Sequence, residues 1–319
     1  MKKVLILFGS NSFEHEISCM SVNFVKDNID KSLFDFELVG IDKENNWYLI
    51  EKKKIIDSNW KKHVINKIKN ILDFLKEFDI VFPVIHGNTC EDGKLQSLFE
   101  LYNIKYVGCN SYSSLICYDK LLTKLILEKY DIPQVPYIIY NENIDISRIE
   151  FPVIIKPCKC GSSIGINIAN TIEEFNNFIE VAKKYDDNIL IEKYLVNKRE
   201  LECAILEKNK KLIISDVGEI INDDWYDYSA KYKEKNETII SDIDINIKKR
   251  IQEYSSKIFK ILKCKNMSRI DFFFDLNSNK LYFNEINTVP GFTDISMYPK
   301  LIKNIGINPK ELLTILLST

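Results

Sequence analysis

Continuous apolar runs, rather than alternating ones, mark the first third of the chain. Val4-Leu5-Ile6-Leu7-Phe8 runs unbroken to Gly9, and the segments 36–41 and 80–85 repeat the pattern. Strands buried on both faces read this way. Segments around 20–29 and 63–76 read as helices, so strand–helix alternation predicts a parallel sheet covered by helices. Segment 51–70, rich in Lys, Ile and Asn, reads as a solvated face or a surface insertion. A second unit begins near Gly108. Its helix over 114–130 carries Leu121, Leu122, Leu125 and Ile126 at helical spacing and stops before Asp131-Ile132-Pro133. Strand 151–156, loop 157–165, a helix opened by the capping box Thr171-x-x-Glu174 and strand 189–192 complete it. From about 195 come strands near 200–206 and 211–217, a polar aromatic stretch over 222–240, helix 245–262 and a hairpin over 269–287. The fold class is α/β.

Composition narrows the function. The 319 residues hold 44 Lys+Arg against 46 Asp+Glu, a net charge of −2, with 45% hydrophobic residues. That supports a large core in two or three domains and argues against a dedicated nucleic-acid or membrane-surface binder. No apolar run approaches the roughly 18 residues of a membrane span, and the five-residue run after Lys3 is too short for a signal peptide. The eight cysteines include no Cys-x-x-Cys pair, and the three histidines are too scattered to complete a zinc site. They read as buried thiols of a cytoplasmic protein.

The hairpin carries the most chemistry. With a five-residue turn symmetric about Ser278, Asp271 falls opposite Glu285, and Asn287 lies two positions along on the same face. Opposed like charges need a cation between them, and two carboxylates with an amide oxygen suit Mg²⁺ that holds phosphates. A solvent-facing acidic surface would read the same way. The loop from Lys156 to Gly165 offers a cation, the Ser162-Ser163 pair and free backbone amides, which a polyphosphate needs; an ordinary turn is the alternative. Segment 9–18 follows the first strand, where Glu14 can take an ammonium group and Ser18 a hydroxyl contact, or simply cap a helix. His86 ends another strand on the same edge. Residues 226–232 read as a lid over a reactive intermediate.

In order, the segments LFGSNSFEHEIS, HGNTCEDG, YDK, IIKPCKCGSSIG, IEKYL, YDYSAKY, SRIDFFF and NEINTVPGFTDIS resemble the D-alanine–D-alanine ligases of the ATP-grasp superfamily. The resemblance covers nearly the whole chain. It implies an N-terminal α/β substrate-binding domain (1–108), a central ATP-grasp subdomain (109–194) and a C-terminal one with lid and metal site (195–319). The implied reaction phosphorylates a first D-alanine with ATP, and the amine of a second D-amino acid then attacks the acylphosphate. By motif position, Lys120, Lys156 and Ser163 resemble phosphate-binding groups, Glu192 and Leu195 the adenine linker, and Glu200 the ribose partner. Asp271, Glu285 and Asn287 match the ligands of Mg²⁺ (or Mn²⁺). Glu14, Ser162 and Tyr232 resemble a hydrogen-bonded trio between substrate and lid. Lys231 would face the transferred phosphate, His86 line the substrate site and Ser296 hold the second carboxylate. Arg269 and the Gly291 amide resemble the oxyanion stabilisers.

Some positions depart from the family pattern. Gly9-Ser10 replaces paired glycines, Asn88-Thr89-Cys90 a glycine-rich stretch and Lys159-Cys160 an Arg-Glu pair, which makes Cys160 a candidate oxidation-sensitive thiol. Tyr232 argues against D-lactate as second substrate. Phe273 and the stretch 291–293 resemble D-alanine–D-serine ligases, but Met297 suits a methyl group, so D-alanine is expected and D-serine is the runner-up. A homodimer is implied by the resemblance alone. Another ATP-grasp carboxylate–amine ligase would keep the lysines and metal ligands without needing Glu14 or Tyr232, and a non-catalytic nucleotide-binding regulator would be expected to lose those ligands.

Overall fold

The computed structural model describes residues 1–220 and 239–318. In its first sheet, β1 (Lys2–Gly9), β2 (Phe34–Ile41), β3 (Trp47–Ile50), β4 (Val64–Lys67) and β5 (Ile80–Pro83) lie in the order β4-β3-β2-β1-β5. Val4 to Phe8 on the inner strand β1 are wholly buried, which explains their unbroken apolar run. Strands β2, β1 and β5 run parallel, as expected, but β2–β3 and β3–β4 are antiparallel. The antiparallel edge comes from the segment expected to be a solvated insertion followed by a helix over 63–76. Most of 51–70 is exposed, as expected, but it is anchored: Trp60 is buried and donates its indole N–H to His15 Nε2 at 3.1 Å. Asn23 also bonds both backbone groups of Ile56. Residues 64–67 then extend along β3, and the helix begins only at α2 (Ile71–Leu75). Ahead of it, α1 (His15–Asn28) starts earlier than expected.

After α3 (Lys94–Leu101), the single helix expected over 114–130 is two helices, α4 (Ser111–Tyr118) and α5 (Lys120–Glu128). Asp119 between them is extended, and its carboxylate accepts the amides of Leu121 and Leu122 at 3.0 and 3.1 Å. An aspartate competes well for the first N–H groups of a helix, and here it restarts the helix with Lys120 in first position. The second sheet, in the order β6-β9-β7-β8, contains β6 (Tyr137–Ile139), β7 (Val153–Pro157), β8 (Asn167–Ala169) and β9 (Ile189–Lys193), with α6 (Ile172–Ala182) before the last. Thr171 accepts the Glu174 amide as expected, but the Glu174 carboxylate reaches Asn170 N, one residue further back than a capping box requires.

The third sheet has the order β12-β11-β10-β13-β14. Its strands are β10 (Lys198–Lys208), β11 (Lys211–Ile220), β12 (Ile239–Ile240), β13 (Met267–Asp275) and β14 (Lys280–Asn287), with α7 (Ile245–Ile261) between β12 and β13. Asp271 pairs with Glu285 and Arg269 with Asn287, as expected, but not through a symmetric turn. Nearer the tip Phe272 pairs with Phe283 and Asp275 with Lys280, so the turn is shorter and Asn284 is an extra, bulged residue. The bulge shifts the alternation. Phe283 and Ile286 face the core, leaving Asn284, Glu285 and Asn287 together on the other face.

Packing does not follow chain order. Helices α8 (Met297–Asn304) and α9 (Pro309–Leu317) join the core of the first sheet, and α4 and α5 join that of the third. Phe292, just before α8, is buried against Phe24, Phe82 and Tyr298 at ring separations of 5.6–5.9 Å. Truncating such a side chain removes its transfer free energy and leaves a cavity. Phe292→Ala is therefore expected to lower stability by about 3–5 kcal/mol in urea denaturation; a change under about 1 kcal/mol would show that this junction contributes little.

Candidate active site

Three carboxylates line up across the third sheet. Glu202 on β10 pairs with Asp271 on β13, which pairs with Glu285 on β14, so all three share one face. Like charges in this position repel unless cations separate them. The Arg269 guanidinium grips both oxygens of Asp271 at 2.7 and 2.8 Å and meets Glu202 at 3.1 Å. Lys120 approaches Glu285 at 3.5 Å and donates to the Cys160 carbonyl at 2.6 Å. The Asn287 amide donates to Asp271 at 3.1 Å.

Above this row lies a cavity of about 160 Å³ lined by Glu14, His86, Glu91, Lys120, Arg269 and Ser296, among others. It adjoins a larger one of about 550 Å³, which holds Lys156, Ser163, Glu192, Leu195 and Glu200. Lys120, Cys160, Gly161, Ser162 and Glu285 line both. A small polar chamber thus opens into one of ligand-binding size at a point flanked by a lysine and a glutamate.

Glu14 occupies the N-cap position of α1 but does not cap it; its carboxylate accepts a hydrogen bond from Ser162 of the 157–165 loop. Two glycines make room for that carboxylate. A Cβ would stand 2.8 Å from Glu14 Oε2 at Gly87, where φ is +75°, and 2.9 Å from it at Gly161. Ser18, considered above for substrate contact, instead accepts the Gly9 amide and donates to Val84 O, tying β1 to β5. Cys160 is 6% exposed and burial pushes its thiol pKa up, which argues against an oxidation-sensitive role.

His86 lines the small cavity with both ring nitrogens engaged. Nδ1 donates to Val289 O at 2.9 Å, which fixes the tautomer, so Nε2 accepts from Ser21 Oγ at 2.9 Å. Ser21 Oγ in turn accepts the Phe292 amide at 3.4 Å. Loop 289–292, which carries Gly291, is thereby strapped at both ends to the first sheet and its helix. A Cβ at Gly291 would sit 2.8 Å from Ser296 Oγ, so a side chain there would crowd the cavity.

Residues 3–109 match the model of the D-ala D-ala ligase N-terminus, and residues 126–318 that of the D-ala D-ala ligase C-terminus. The chain belongs to the D-alanine–D-alanine ligase family. A D-alanine–D-alanine ligase of Ruminiclostridium cellulolyticum is 38% identical over 98% of this chain and 93% of its own, and one of Clostridium novyi is 39% identical over 98% and 96%. Among solved structures, the VanG D-Ala:D-Ser ligase of Enterococcus faecalis superposes with a TM-score of 0.88 at 33% identity, covering 99% of this chain and 98% of its own. The D-alanine–D-alanine ligase of Coxiella burnetii gives 0.81 at 30%, covering 100% and 94%. The α/β fold is therefore the ATP-grasp fold of this ligase family.

Within the family site, the seventeen candidate site residues singled out in the sequence reduce to two groups by location. Lys231 and Tyr232, with the whole stretch 226–232 expected as a lid, lie outside the described residues; the others all line one or both cavities or, for Asp271, the acidic row beneath them. Sequence reasoning missed Lys124, Glu202, Asn284, Ser21 and Glu91. Two carried a legible signal: Lys124 is one helical turn beyond Lys120, and Glu202 shares a strand face with Glu200.

Glu91 accepts the Gly87 amide at 2.9 Å, and burial together with the Glu14 carboxylate pushes its pKa up to about 8. Burial pushes His86 the other way, below its ordinary value. The two act oppositely on stability. A histidine held neutral stabilises above its unfolded pKa of roughly 6.5 and loses that as pH falls; a carboxyl held neutral stabilises below roughly 4.5 and loses that as pH rises toward 8. His86→Gln should leave the Glu91 effect, so that stability climbs as pH is lowered from 8 to 5. Glu91→Gln should leave the His86 effect, with stability falling below about pH 6.5. Urea titrations across pH read both slopes, and profiles parallel to the parent chain in both variants would refute the assignment.

Proposed function

We propose that the chain joins two D-alanines into D-alanyl-D-alanine through an acylphosphate, forming ADP and phosphate and supplying peptidoglycan precursors. The observation that carries this is the junction between the two cavities. Lys120 and Glu285 stand where the small chamber, sized for amino acids, meets the larger one, sized for a nucleotide. Phosphoryl transfer needs positioning and charge neutralisation more than a nucleophilic side chain.

In this reading Glu14 takes the ammonium group of the first D-alanine, oriented by Ser162. Lys120, Lys156 and Ser163 hold the phosphates, Glu192 and Leu195 the adenine, and Glu200 the ribose. Asp271, Glu285 and Asn287 fit Mg²⁺ or Mn²⁺: they offer hard oxygens on one sheet face, spread over two paired strands. No three acidic, histidine or cysteine side chains form a metal-holding group among the described residues, so phosphate oxygens would complete the shell. When bound, the ion supplies positive charge to the transferring phosphoryl group. Arg269 and the Gly291 amide face the oxyanion formed when the second amine attacks. Ser296 holds the second carboxylate, Lys231 meets the transferred phosphate and Tyr232 joins the Glu14–Ser162 pair. We also infer a cytoplasmic homodimer divided near 108 and 194.

D-Alanine as second substrate is supported by the names of the curated relatives and by Met297, an apolar side chain lining the small cavity. The likeness to VanG favours D-serine as a second reading. Purified chain given ATP, Mg²⁺ and D-alanine should release ADP, and equimolar D-alanine and D-serine should yield mainly D-alanyl-D-alanine by mass spectrometry. No D-alanine-dependent ADP release would sink the reading, and a mainly mixed product would transfer it to D-serine. Glu285→Gln should cut turnover by at least about 100-fold, since even outer partners of a metal matter 10–100-fold, with an unchanged denaturation midpoint.

A further inference from the structure

A lysine that the mechanism above does not use is buried beside the nucleotide cavity. Lys124 on α5 is 2% exposed, and its ammonium lies 2.6 Å from Glu192 Oε1. The other oxygen of Glu192 lies 2.6 Å from Lys156 Nζ. Glu192 is also 2% exposed, and Lys156 further reaches Asn284 Oδ1 at 3.3 Å. Glu192 and Lys156 line the larger cavity, whereas Lys124 stands behind the carboxylate, its ammonium 5.0 Å from the Tyr137 ring centre. Burial alone would raise the Glu192 pKa, but the two ammonium groups overcome it and hold the carboxyl near 2.

Charge counting gives the buried lysine a purpose. Burial pushes the Lys124 pKa down while the Glu192 carboxylate pulls it back up; with its proton kept, one carboxylate between two ammonium groups leaves a net charge of +1, and the outer member, Lys156, faces the cavity. Without Lys124, Glu192 and Lys156 would form a neutral pair, and the wall would lose one of the charges that attract an anion. Removing a lysine that does not touch the ligand should then mimic losing one that does.

We propose that Lys124 is a positioning residue for nucleotide polyphosphate: it holds Glu192 from behind and so frees the charge of Lys156 for phosphate. This rests on the reading that the larger cavity takes ATP. Neutralising Glu192 should reverse the defect, because a glutamine no longer cancels Lys156.

Calorimetric binding of ATP and of adenosine to the full chain tests this in the parent, Lys124→Met, Lys124→Arg, Glu192→Gln and the Lys124→Met/Glu192→Gln double variant. Lys124→Met should weaken ATP by about 10- to 100-fold, the size of one unit charge at short range in a partly screened site, while adenosine changes by less than about threefold. Lys124→Arg should retain ATP affinity, and the double variant should recover ATP binding relative to Lys124→Met. If Lys124→Met does not fold, Glu192→Gln carries the test alone: its ratio of ATP to adenosine affinity should rise above that of the parent. Equal loss of ATP and adenosine without recovery in the double variant, or an unchanged ratio in Glu192→Gln, would overturn the role of Lys124. A parent chain that binds no ATP would instead overturn the nucleotide reading.

Discussion

A row of three carboxylates across one sheet is a constraint that the rest of the site answers. Glu202, Asp271 and Glu285 sit side by side because their strands pair in that register. Such a row repels itself unless positive groups enter it. One comes from within the strand, where Arg269 bridges two of the acids. Another comes from α5, whose restart at Asp119 delivers Lys120 to Glu285. These five groups still carry a net charge of −1, which on the proposed reading suits a cation that arrives with phosphates. The helix break and the bulge at Asn284 are local irregularities that each place a charged side chain where a regular element would not.

The second organising feature is that the site is assembled from surfaces that fold in different cores. Glu14 belongs to the first sheet's helix, Ser162 to a loop of the second sheet and Arg269 to the third. The Glu14–Ser162 hydrogen bond, the backbone bond from Lys120 N to Cys158 O and the bonds of Ser21 and His86 to loop 289–292 join these bodies pairwise. Each is a single polar contact of roughly 1 kcal/mol net, so these contacts set geometry more than stability. Stability across the same junction comes from apolar burial around Phe292 and Tyr298.

Strands buried on both faces were legible because their apolar runs have no competing interpretation, and the hairpin because alternation and a polar turn coincide. The register at Asp271 and Glu285 was legible for a reason that proved incomplete: the assumed turn was one residue too long, and the bulge at Asn284 restored the pairing. Segment 51–70 was legible as a solvated surface, but its anchoring was not, because one buried residue, Trp60, decides its placement. The break at Asp119 was hidden inside a helical pattern, since an aspartate within an apolar repeat reads as a solvent-facing position. Lys124 was missed because a buried lysine is rare enough that sequence reading assigns it to the surface.

The strap on loop 289–292 has a consequence for how the protein comes into being. Its contacts link residues separated by 203 and 271 positions in the chain. Contacts of such separation form late, because the loop-closure entropy must be met before they can contribute. During synthesis the amino-terminal sheet would emerge long before the segment that carries Gly291, and that segment docks only when α8 and α9 can pack behind it. A nascent chain would therefore hold its amino-terminal sheet complete before the loop that straps onto the edge of that sheet had been made.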